Sequence, residues 1–170
     1  MSLVEEPSVK KDLIAAIPKL RAFAVSLSGK SDRADDLVQE TLTKALQNLP
    51  SFETGSNLLA WLFTILRNTY YSEFRKRQRE VADIDGKYTA SLVSKASQED
   101  HLELLDFHAA LQKLPPDQRE ALILVGASGM SYDEAAEICK CAVGTVKSRV
   151  SRGRQRLLEL LDMPPEDAQR

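Results

Sequence analysis

The sequence predicts an all-α protein built from two small helical domains, and three observations support this. Along most of the chain, apolar residues recur every three or four positions, which is the spacing of amphipathic helices. Runs of β-branched residues alternating with polar ones, typical of strands, are scarce. Residues 81–98 lose helical periodicity and contain Gly, Ser, Ala and Thr, so they are predicted to be a flexible linker between domains at 10–80 and 99–163.

The composition excludes several other classes of protein. The 170 residues are 43% hydrophobic, which is typical of globular domains and not of disordered chains. No stretch approaches the roughly 20 apolar residues of a membrane span, and the first residues lack the layout of a signal peptide. We therefore expect a cytoplasmic protein. Cys139 and Cys141 form a lone C-x-C pair, which predicts packing and not a disulfide or zinc site.

The first predicted helix contains a proline. Its apolar stripe runs from Leu13 to Leu27, and Asp12 is placed to cap it. Pro18 removes a backbone donor and predicts a kink or a restart near Ile17. The GKSD stretch at 29–32 then predicts a turn.

Two more helices complete the first domain. Ser31 or Asp32 is expected to cap the second helix, which Pro50 ends. Residues 51–57 predict a loop, and the third helix is expected from 58 to 80. Its first half is apolar, whereas its second half mixes cations with aromatic residues, a combination that can hold phosphates and stack on unpaired bases.

The second domain is predicted to hold four helices. An apolar pattern places one at 99–114, and Pro116 suits the start of the next. The glycine-containing stretch at 126–130 should end that helix. Ser131, with Glu134 three residues later, predicts a capping box at the start of a short third helix.

The segment 131–161 has the pattern of a helix-turn-helix. A short helix, a tight turn and a longer helix follow one another, and the longer helix has an apolar stripe on one side. Cations fall largely off that stripe, as a helix that enters the major groove of DNA requires. These cations are Lys147, Arg149, Arg152, Arg154 and Arg156.

Charge is unevenly distributed along the chain. Its net charge is only −2, but residues 143–161 and 67–80 together carry +7. The remaining residues therefore carry −9. This segregation indicates two surfaces that face DNA on an otherwise acidic body.

Several segments, taken in order, resemble a known family. DDLVQETLTKAL, LLAWLFTILRN, LPPDQREALIL, SYDEAAEI and VGTVKSRVSRGRQRL follow one another between residues 12 and 161. Together they resemble the extracytoplasmic-function (ECF, group IV) sigma factors of bacterial RNA polymerase, most closely the general-stress-response, EcfG-type branch. The resemblance implies a sigma-2 domain, a flexible linker and a sigma-4 domain, with no cofactor, metal or active site.

The resemblance also implies roles for individual residues. The acidic face of the second helix matches the segment that docks on the clamp helices of the largest polymerase subunit: Asp35, Asp36, Gln39 and Glu40. The loop at 52–57 and the third helix match the part that opens the −10 element and holds a flipped base: Phe52, Asn57, Arg67, Asn68, Tyr71, Arg75 and Arg77. The second helix of the helix-turn-helix would read a GGAAC-like −35 element through Thr145, Lys147, Ser148, Arg149, Arg152, Arg154 and Arg156, with Arg149 and Arg152 the main candidates for guanine edges.

Further partners follow from the same resemblance. They are the flap of core polymerase, promoter DNA and a NepR-like anti-sigma factor, and the chain is expected to be monomeric when free.

Two residues depart from the family pattern. Lys140 stands where the turn commonly has Gly, and Ala142 is a poor cap for the recognition helix. Each departure should cost on the order of 1 kcal/mol.

Three alternatives are less consistent with the residues. A conventional helix-turn-helix regulator that binds duplex DNA alone would not need the aromatic and basic third helix or the acidic second-helix face. A sigma mimic that titrates an anti-sigma factor would not need five cations on its recognition helix. An enzyme is disfavoured because the sequence lacks a phosphate loop, a metal-spaced cluster and a nucleophile motif.

Overall fold

The structure is a computed structural model that describes residues 6–82 and 99–161, and these residues are helical throughout apart from short turns. The prediction of an all-α protein is thereby confirmed. The helices are α1 (Glu6–Ser28), α2 (Ser31–Gln47), α3 (Leu58–Ala82), α4 (Glu99–Gln112), α5 (Pro116–Leu122), α6 (Tyr132–Cys139) and α7 (Val143–Leu160). A 3-10 turn at Leu49–Ser51 follows α2, and a π-helical turn at Ile123–Ala127 extends α5.

α1 is one uninterrupted helix, contrary to the predicted start at Asp12 and to a restart near Ile17. It begins at Glu6 and includes Pro18. A proline leaves the carbonyl four residues earlier, here that of Ile14, without its helical partner. Ile14 is 66% exposed and Pro18 is also exposed. That carbonyl can therefore bond to water, and the helix continues because its opposite face is buried.

The turn between α1 and α2 differs from the prediction in its cap. Gly29 has φ +71°, a conformation that glycine adopts without steric cost. The N-cap of α2 is Lys30, so neither Ser31 nor Asp32 serves as the cap. The Ser31 hydroxyl instead accepts a hydrogen bond from Arg21 Nη2 of α1 at 2.7 Å. The Ser31 hydroxyl therefore bonds to a residue of another helix instead of capping its own helix.

α3 extends two residues beyond its predicted end. It continues to Ala82, so residues 81–82 of the predicted linker are helical. The remainder of that linker, 83–98, lies outside the described residues. The predicted loop before α3 bends at Gly55, whose φ is +91°.

The helices of the two domains share one apolar core. α1, α2 and α3 pack against one another, and α7 packs against both α5 and α6. Between the two sets, α3 contacts α6 and α1 contacts α5. One continuous cluster includes Phe23, Leu66, Leu124, Ile138 and Val146. A smaller cluster joins α4 to the end of α7. Helical periodicity predicted the two sets of helices, but it did not predict that they pack together.

No helix within 6–82 and 99–161 combines the length and the apolarity that a membrane crossing requires.

Candidate nucleic-acid interface

The helix-turn-helix is formed by α6 and α7, and its first helix is capped as predicted. Ser131 Oγ accepts a hydrogen bond from the Glu134 N–H at 3.1 Å, and the Ser131 N–H donates to Glu134 Oε2 at 2.9 Å. Lys140 ends α6 in the left-handed conformation, with φ 55° and ψ 46°. Ala142 is the N-cap of α7 and supplies no side-chain bond. Both expected weak points of this turn are therefore confirmed.

α7 packs its apolar stripe against α5 and α6. Val146, Val150 and Leu157 are buried, and Gly153 is buried beside them. A Cβ at Gly153 would lie 3.3 Å from the Gln118 carbonyl oxygen, so glycine allows α7 to approach α5 closely. Four cations of α7 point away from this contact and are exposed: Lys147, Arg152, Arg154 and Arg156. They form a basic surface on the helix that is predicted from the sequence to enter the major groove.

Arg149 differs from the other cations of α7. Its side chain is 25% exposed, and its Nε lies 3.2 Å from Asp117 Oδ2 of α5. Its Nη1 also donates to Cys141 Sγ at 3.7 Å. Of the two main candidates for base contacts, Arg152 is exposed, whereas Arg149 is held at the α5–α7 junction. Thr145 and Ser148 are half-buried, and the Ser148 hydroxyl donates to the Thr145 carbonyl oxygen at 3.0 Å.

The loop before α3 is ordered by two of the residues predicted to contact the −10 element. The Phe52 ring packs on Trp61, with 5.2 Å between ring centroids. Asn57 Oδ1 accepts a hydrogen bond from the Ala60 N–H at 3.2 Å, so Asn57 caps α3. Its Nδ2 donates to Glu134 Oε1 of α6 at 2.9 Å. The Asn57 side chain therefore joins the first domain to the second.

Arg67 and Tyr71 of α3 meet Glu120 of α5 at a buried site. Arg67 Nε donates to Glu120 Oε1, and the Tyr71 hydroxyl donates to Oε2 at 3.4 Å. The Arg67 guanidinium carbon lies 4.7 Å from the Tyr71 ring centroid. The Glu120 side chain is 1% exposed. A carboxylate this buried needs the Arg67 charge beside it.

Burial and neighbouring charges shift the pKa values of Glu120, Tyr71 and Arg67. Burial raises the pKa of Glu120, although the Arg67 charge and its hydrogen bond act in the opposite direction. Burial also raises the pKa of Tyr71 to about 12, and the Glu120 charge adds to that effect. Burial alone would lower the pKa of Arg67, but the Glu120 carboxylate outweighs it and raises the pKa. The Tyr71 hydroxyl thus stays protonated beside Glu120 and donates the hydrogen bond to it.

The remaining −10 candidates are exposed. Asn68, Arg75 and Arg77 lie on the solvent side of α3. Arg75 and Arg77, with Lys76 and Arg79, make the end of this helix basic. Among the −10 candidates, Asn57, Arg67 and Tyr71 therefore bond to the second domain, whereas Asn68, Arg75 and Arg77 are exposed.

The acidic face of α2 is partly engaged in ion pairs. Asp35 Oδ1 lies 2.8 Å from Arg21 Nε, and Glu40 Oε1 lies 2.9 Å from Lys44 Nζ. The hydrogen bond from Lys44 lowers the pKa of the Glu40 carboxyl. Asp36 and Gln39 are exposed on the same helix. All four side chains that were predicted to dock on polymerase thus lie on the outer surface of α2.

Comparison with known proteins places both halves of the chain in one family. Residues 13–80 match the sigma-70 region 2 family and residues 104–157 match sigma-70 region 4. The chain is 62% identical over 169 residues to the ECF RNA polymerase sigma factor EcfG of Rhodopseudomonas palustris, covering 96% of this chain and 93% of the relative. This chain is an ECF sigma factor of the sigma-70 family. The resemblance inferred from the sequence motifs is therefore confirmed.

Solved structures of related sigma factors have the same fold. The sigma factor RpoE of Bartonella quintana, in complex with the anti-sigma factor NepR, matches with a TM-score of 0.84 at 59% identity, covering 91% of this chain and 97% of that one. CnrH, in complex with the cytosolic domain of CnrY, matches with a TM-score of 0.64 at 26% identity, covering 92% and 86%. Because the first match spans both domains, RpoE in that complex and this ECF sigma factor share the arrangement of their domains.

Sequence reasoning missed the residues that join the two domains of this sigma factor. Glu120 was not singled out, and Glu134 was identified only as part of a capping box. One signal was available for Glu120: it stands directly before the apolar run ALILV, where a carboxylate would be buried and would need a cation. No pattern in the sequence identified Arg67 as that cation.

Within the described ranges, no group of three or more His, Cys, Asp or Glu side chains is arranged to hold a metal ion.

Proposed function

We propose that this ECF sigma factor directs core RNA polymerase to stress-response promoters, binds their −35 element and melts their −10 element. The observation that carries the proposal is the 62% identity to EcfG across nearly the whole of both chains. The structure supports it physically, because the basic surface of α7 and the basic end of α3 are both exposed on one chain. This activity requires binding surfaces and no active site.

In the proposed −35 contact, α7 enters the major groove. The exposed Arg152 is long enough to donate two hydrogen bonds to a guanine edge, the commonest specific contact in that groove. Lys147, Arg154 and Arg156 would contact bases or phosphates on either side of it. Arg149 would contribute both to DNA binding and to the α5–α7 junction through Asp117. The target in this branch is a GGAAC-like sequence.

In the proposed −10 contact, α3 and its preceding loop hold the non-template strand. Unstacking a base costs a few kcal/mol, and stacking on an aromatic ring contributes about 1–3 kcal/mol per base. Phe52 and Tyr71 supply rings, and Asn57 supplies an amide that can recognise a base edge. Arg75 and Arg77 are exposed cations suited to phosphates of the same strand.

We assign the surface of α2 to the polymerase. Asp36 and Gln39 are exposed, and Asp35 and Glu40 lie beside them in ion pairs that solvent can reach. Such surface pairs are weak, typically about 0–1 kcal/mol, so a basic partner can replace them. The clamp helices of the largest subunit are the proposed partner, and the flap would hold the second domain. The contact with the clamp helices belongs to the predicted domain at 10–80, and the contact with the flap belongs to the predicted domain at 99–163.

Control by an anti-sigma factor is part of the proposal. A related sigma factor of the same fold is found in complex with NepR. A NepR-like protein that binds this chain would keep it from polymerase. Because its target is the transcription machinery, we also assign the chain to the cytoplasm.

Run-off transcription with purified components tests the proposed function. The full chain is mixed with core polymerase and a linear promoter carrying a GGAAC-like −35 element, and transcripts are measured with and without the chain. We expect a transcript of defined length only when chain and polymerase are both present. A chain that binds the promoter duplex without polymerase and supports no transcript would instead be a conventional regulator. A chain that binds NepR but neither polymerase nor DNA would be a sigma mimic.

A further inference from the structure

Arg149 of α7 is held from two directions, by the start of α5 and by the turn that precedes its own helix. Its Nε lies 3.2 Å from Asp117 Oδ2, and its Nη1 donates to Cys141 Sγ at 3.7 Å. Among the described residues, no acceptor bonds to Nη2, and the side chain is 25% exposed. The guanidinium is therefore oriented by the protein while one of its nitrogens remains available to a ligand.

The Asp117 carboxylate is itself oriented by its helix. Its Oδ1 accepts the Gln118 N–H at 2.9 Å, which leaves Oδ2 to face Arg149. The helix dipole also favours a carboxylate in the first turn of α5, where Asp117 lies. The ion pair thus joins a carboxylate of fixed direction to a side chain that would otherwise sample many rotamers.

Close packing of α5 on α7 brings the two groups together. A Cβ at Gly153, one turn beyond Arg149, would lie 3.3 Å from the Gln118 carbonyl oxygen. The residue that follows Asp117 therefore contacts α7 directly. Because Gly153 is buried in that contact, the separation of Asp117 and Arg149 is set by helix packing and not by a loop.

Arg149 lies on the part of α7 that the proposed −35 contact uses. It is in the first half of the helix, and in a helix-turn-helix that half reaches base edges. Arg152 and Arg156 follow at spacings of three and four residues, so all three lie on one side of α7. An arginine that reads guanine donates to O6 and N7 together. Nη1 keeps a second N–H beside the one given to Cys141, so Nη1 and Nη2 can supply both bonds.

We propose that Asp117 is a positioning residue for the −35 contact and holds Arg149 with Nη1 and Nη2 toward the edge of one guanine. The inference rests on the proposed function, since that function places α7 in the major groove. Asp117 is the only carboxylate within 6–82 and 99–161 that forms an ion pair with Arg149. An arginine ordered before it meets DNA loses less rotamer freedom on binding, so the pair strengthens recognition of that guanine. The positioning residue belongs to α5, outside the helix-turn-helix.

Promoter binding by four full-length chains tests this role. They are the parent, Asp117→Asn, Arg149→Ala and the chain that carries both substitutions. Asp106→Asn is the matched control, because Asp106 is an exposed aspartate of α4 and the change in charge is the same. Each chain is assembled with core polymerase, and circular dichroism verifies that it keeps the helical content of the parent. If Asp117→Asn does not fold, Asp117→Ser is used, because its hydroxyl can still accept the Gln118 N–H.

The first readout is the affinity of each holoenzyme for a GGAAC-like −35 element, divided by its affinity for elements substituted one base pair at a time. We expect Asp117→Asn to lower this ratio about threefold to tenfold at one guanine, the position at which Arg149→Ala also lowers it. Affinity for a scrambled element should not fall, since the variant has lost a negative charge that repels phosphates. Asp106→Asn should stay within about twofold of the parent at every position. An unchanged ratio in Asp117→Asn, or a loss of equal size at every position, would overturn the inference.

The second readout is the effect of Asp117→Asn when the Arg149 side chain is absent. A residue that acts through Arg149 has nothing left to position in Arg149→Ala, so adding Asp117→Asn should change the ratio by less than about twofold. A further loss as large as that in the parent background would overturn the inference, because Asp117 would then act on DNA by another route. Dependence on Arg149 therefore separates positioning from general stabilisation of α5 on α7.

The two proposals fail in different ways. A parent holoenzyme that prefers the GGAAC-like element, with Asp117→Asn preferring it equally, keeps the proposed function and loses the role of Asp117. A parent holoenzyme without any such preference loses the proposed −35 contact, and the inference with it.

Discussion

The Glu134 carboxylate completes a helix cap and joins the two domains at the same time. Its Oε2 accepts the Ser131 N–H and its Oε1 accepts Asn57 Nδ2, both at 2.9 Å. Asn57 is itself the cap of α3, since its Oδ1 accepts the Ala60 N–H. The starts of α3 and α6 are therefore linked through two capping side chains. The hydrogen bond from Asn57, followed by that from the Ser131 backbone, lowers the pKa of Glu134.

This pKa predicts a pH dependence. A carboxyl group whose pKa is lowered by folding stabilises the folded state above its ordinary pKa, about 4.3, and loses that effect as pH falls through the lowered value. We expect Glu134→Gln to lower the free energy of unfolding by about 1 kcal/mol at pH 7. The difference from the parent should shrink as the pH falls from the ordinary pKa of about 4.3 through the lowered pKa of Glu134. Urea denaturation of both proteins from pH 3 to 7 measures this, and a constant difference would contradict the assigned bonds.

Substitution of Arg152 should weaken recognition of the −35 element. Arg152 is exposed on α7, so Arg152→Ala removes the proposed DNA contact without removing a packing contact. We expect a loss of about 1–3 kcal/mol that is confined to one base position, with the melting temperature unchanged. Binding of polymerase holoenzyme to promoters substituted one base pair at a time measures it. A uniform loss across all sequences would mean that Arg152 contacts phosphate.

Arg149→Ala should differ from Arg152→Ala in its effect on stability. Arg149 pairs with Asp117, so its loss should lower the melting temperature as well as weaken −35 recognition by about 1–3 kcal/mol. Asp117→Asn is the control, because it disrupts the pair and keeps the guanidinium. If Arg149→Ala lowers stability and leaves −35 recognition intact, the Arg149 side chain serves the α5–α7 junction only.

Replacement of Arg75 and Arg77 by alanine should impair opening of the promoter more than its initial binding. Both side chains are exposed at the basic end of α3, where they face the proposed path of the melted strand. We expect at least a tenfold loss of open complex and a smaller loss of closed complex. Lys10 and Lys11, exposed neighbours on α1, provide a control that removes the same charge. Equal losses of both complexes would remove the role assigned to α3.

Relief of the strained turn should stabilise the second domain. Lys140 has φ 55°, a conformation that costs a residue with a Cβ on the order of 1 kcal/mol. Lys140→Gly should therefore raise the free energy of unfolding by up to about 1 kcal/mol. Lys140→Ala keeps the strain and should give no such gain. A similar gain from both variants would attribute the effect to loss of the lysine side chain.

Local signals in the sequence predicted much of the fold. The capping box of Ser131 and Glu134 was predictable because both partners lie within one helical turn. The start of α5 at Pro116 was also predictable, because proline suits the first position of a helix. The cap of α2 was not predictable, because Arg21 of another helix binds the Ser31 hydroxyl. The restart near Ile17 was wrong because the face of α1 that loses a hydrogen bond is the exposed one.

The candidate site was predictable only in part. Helical periodicity identified the exposed cations of α7, since it separates a buried face from a solvated one. It could not identify the partner of a buried face. Arg67 and Glu120 are 53 positions apart in the sequence, and their contact depends on how α3 and α5 pack. A residue assigned to DNA from the sequence is therefore, in this structure, bonded to the chain itself.

The reactivity of unpaired thymines with permanganate tests the central claim most directly. The claim is that this chain opens the −10 element only as part of the polymerase holoenzyme. A promoter with a GGAAC-like −35 element is probed with core polymerase alone, with the chain alone and with both. We predict reactive thymines in the −10 element only with both, and their loss when the −35 element is scrambled. Unreactive thymines in the presence of both proteins, with the −35 duplex protected by the chain alone, would contradict the account.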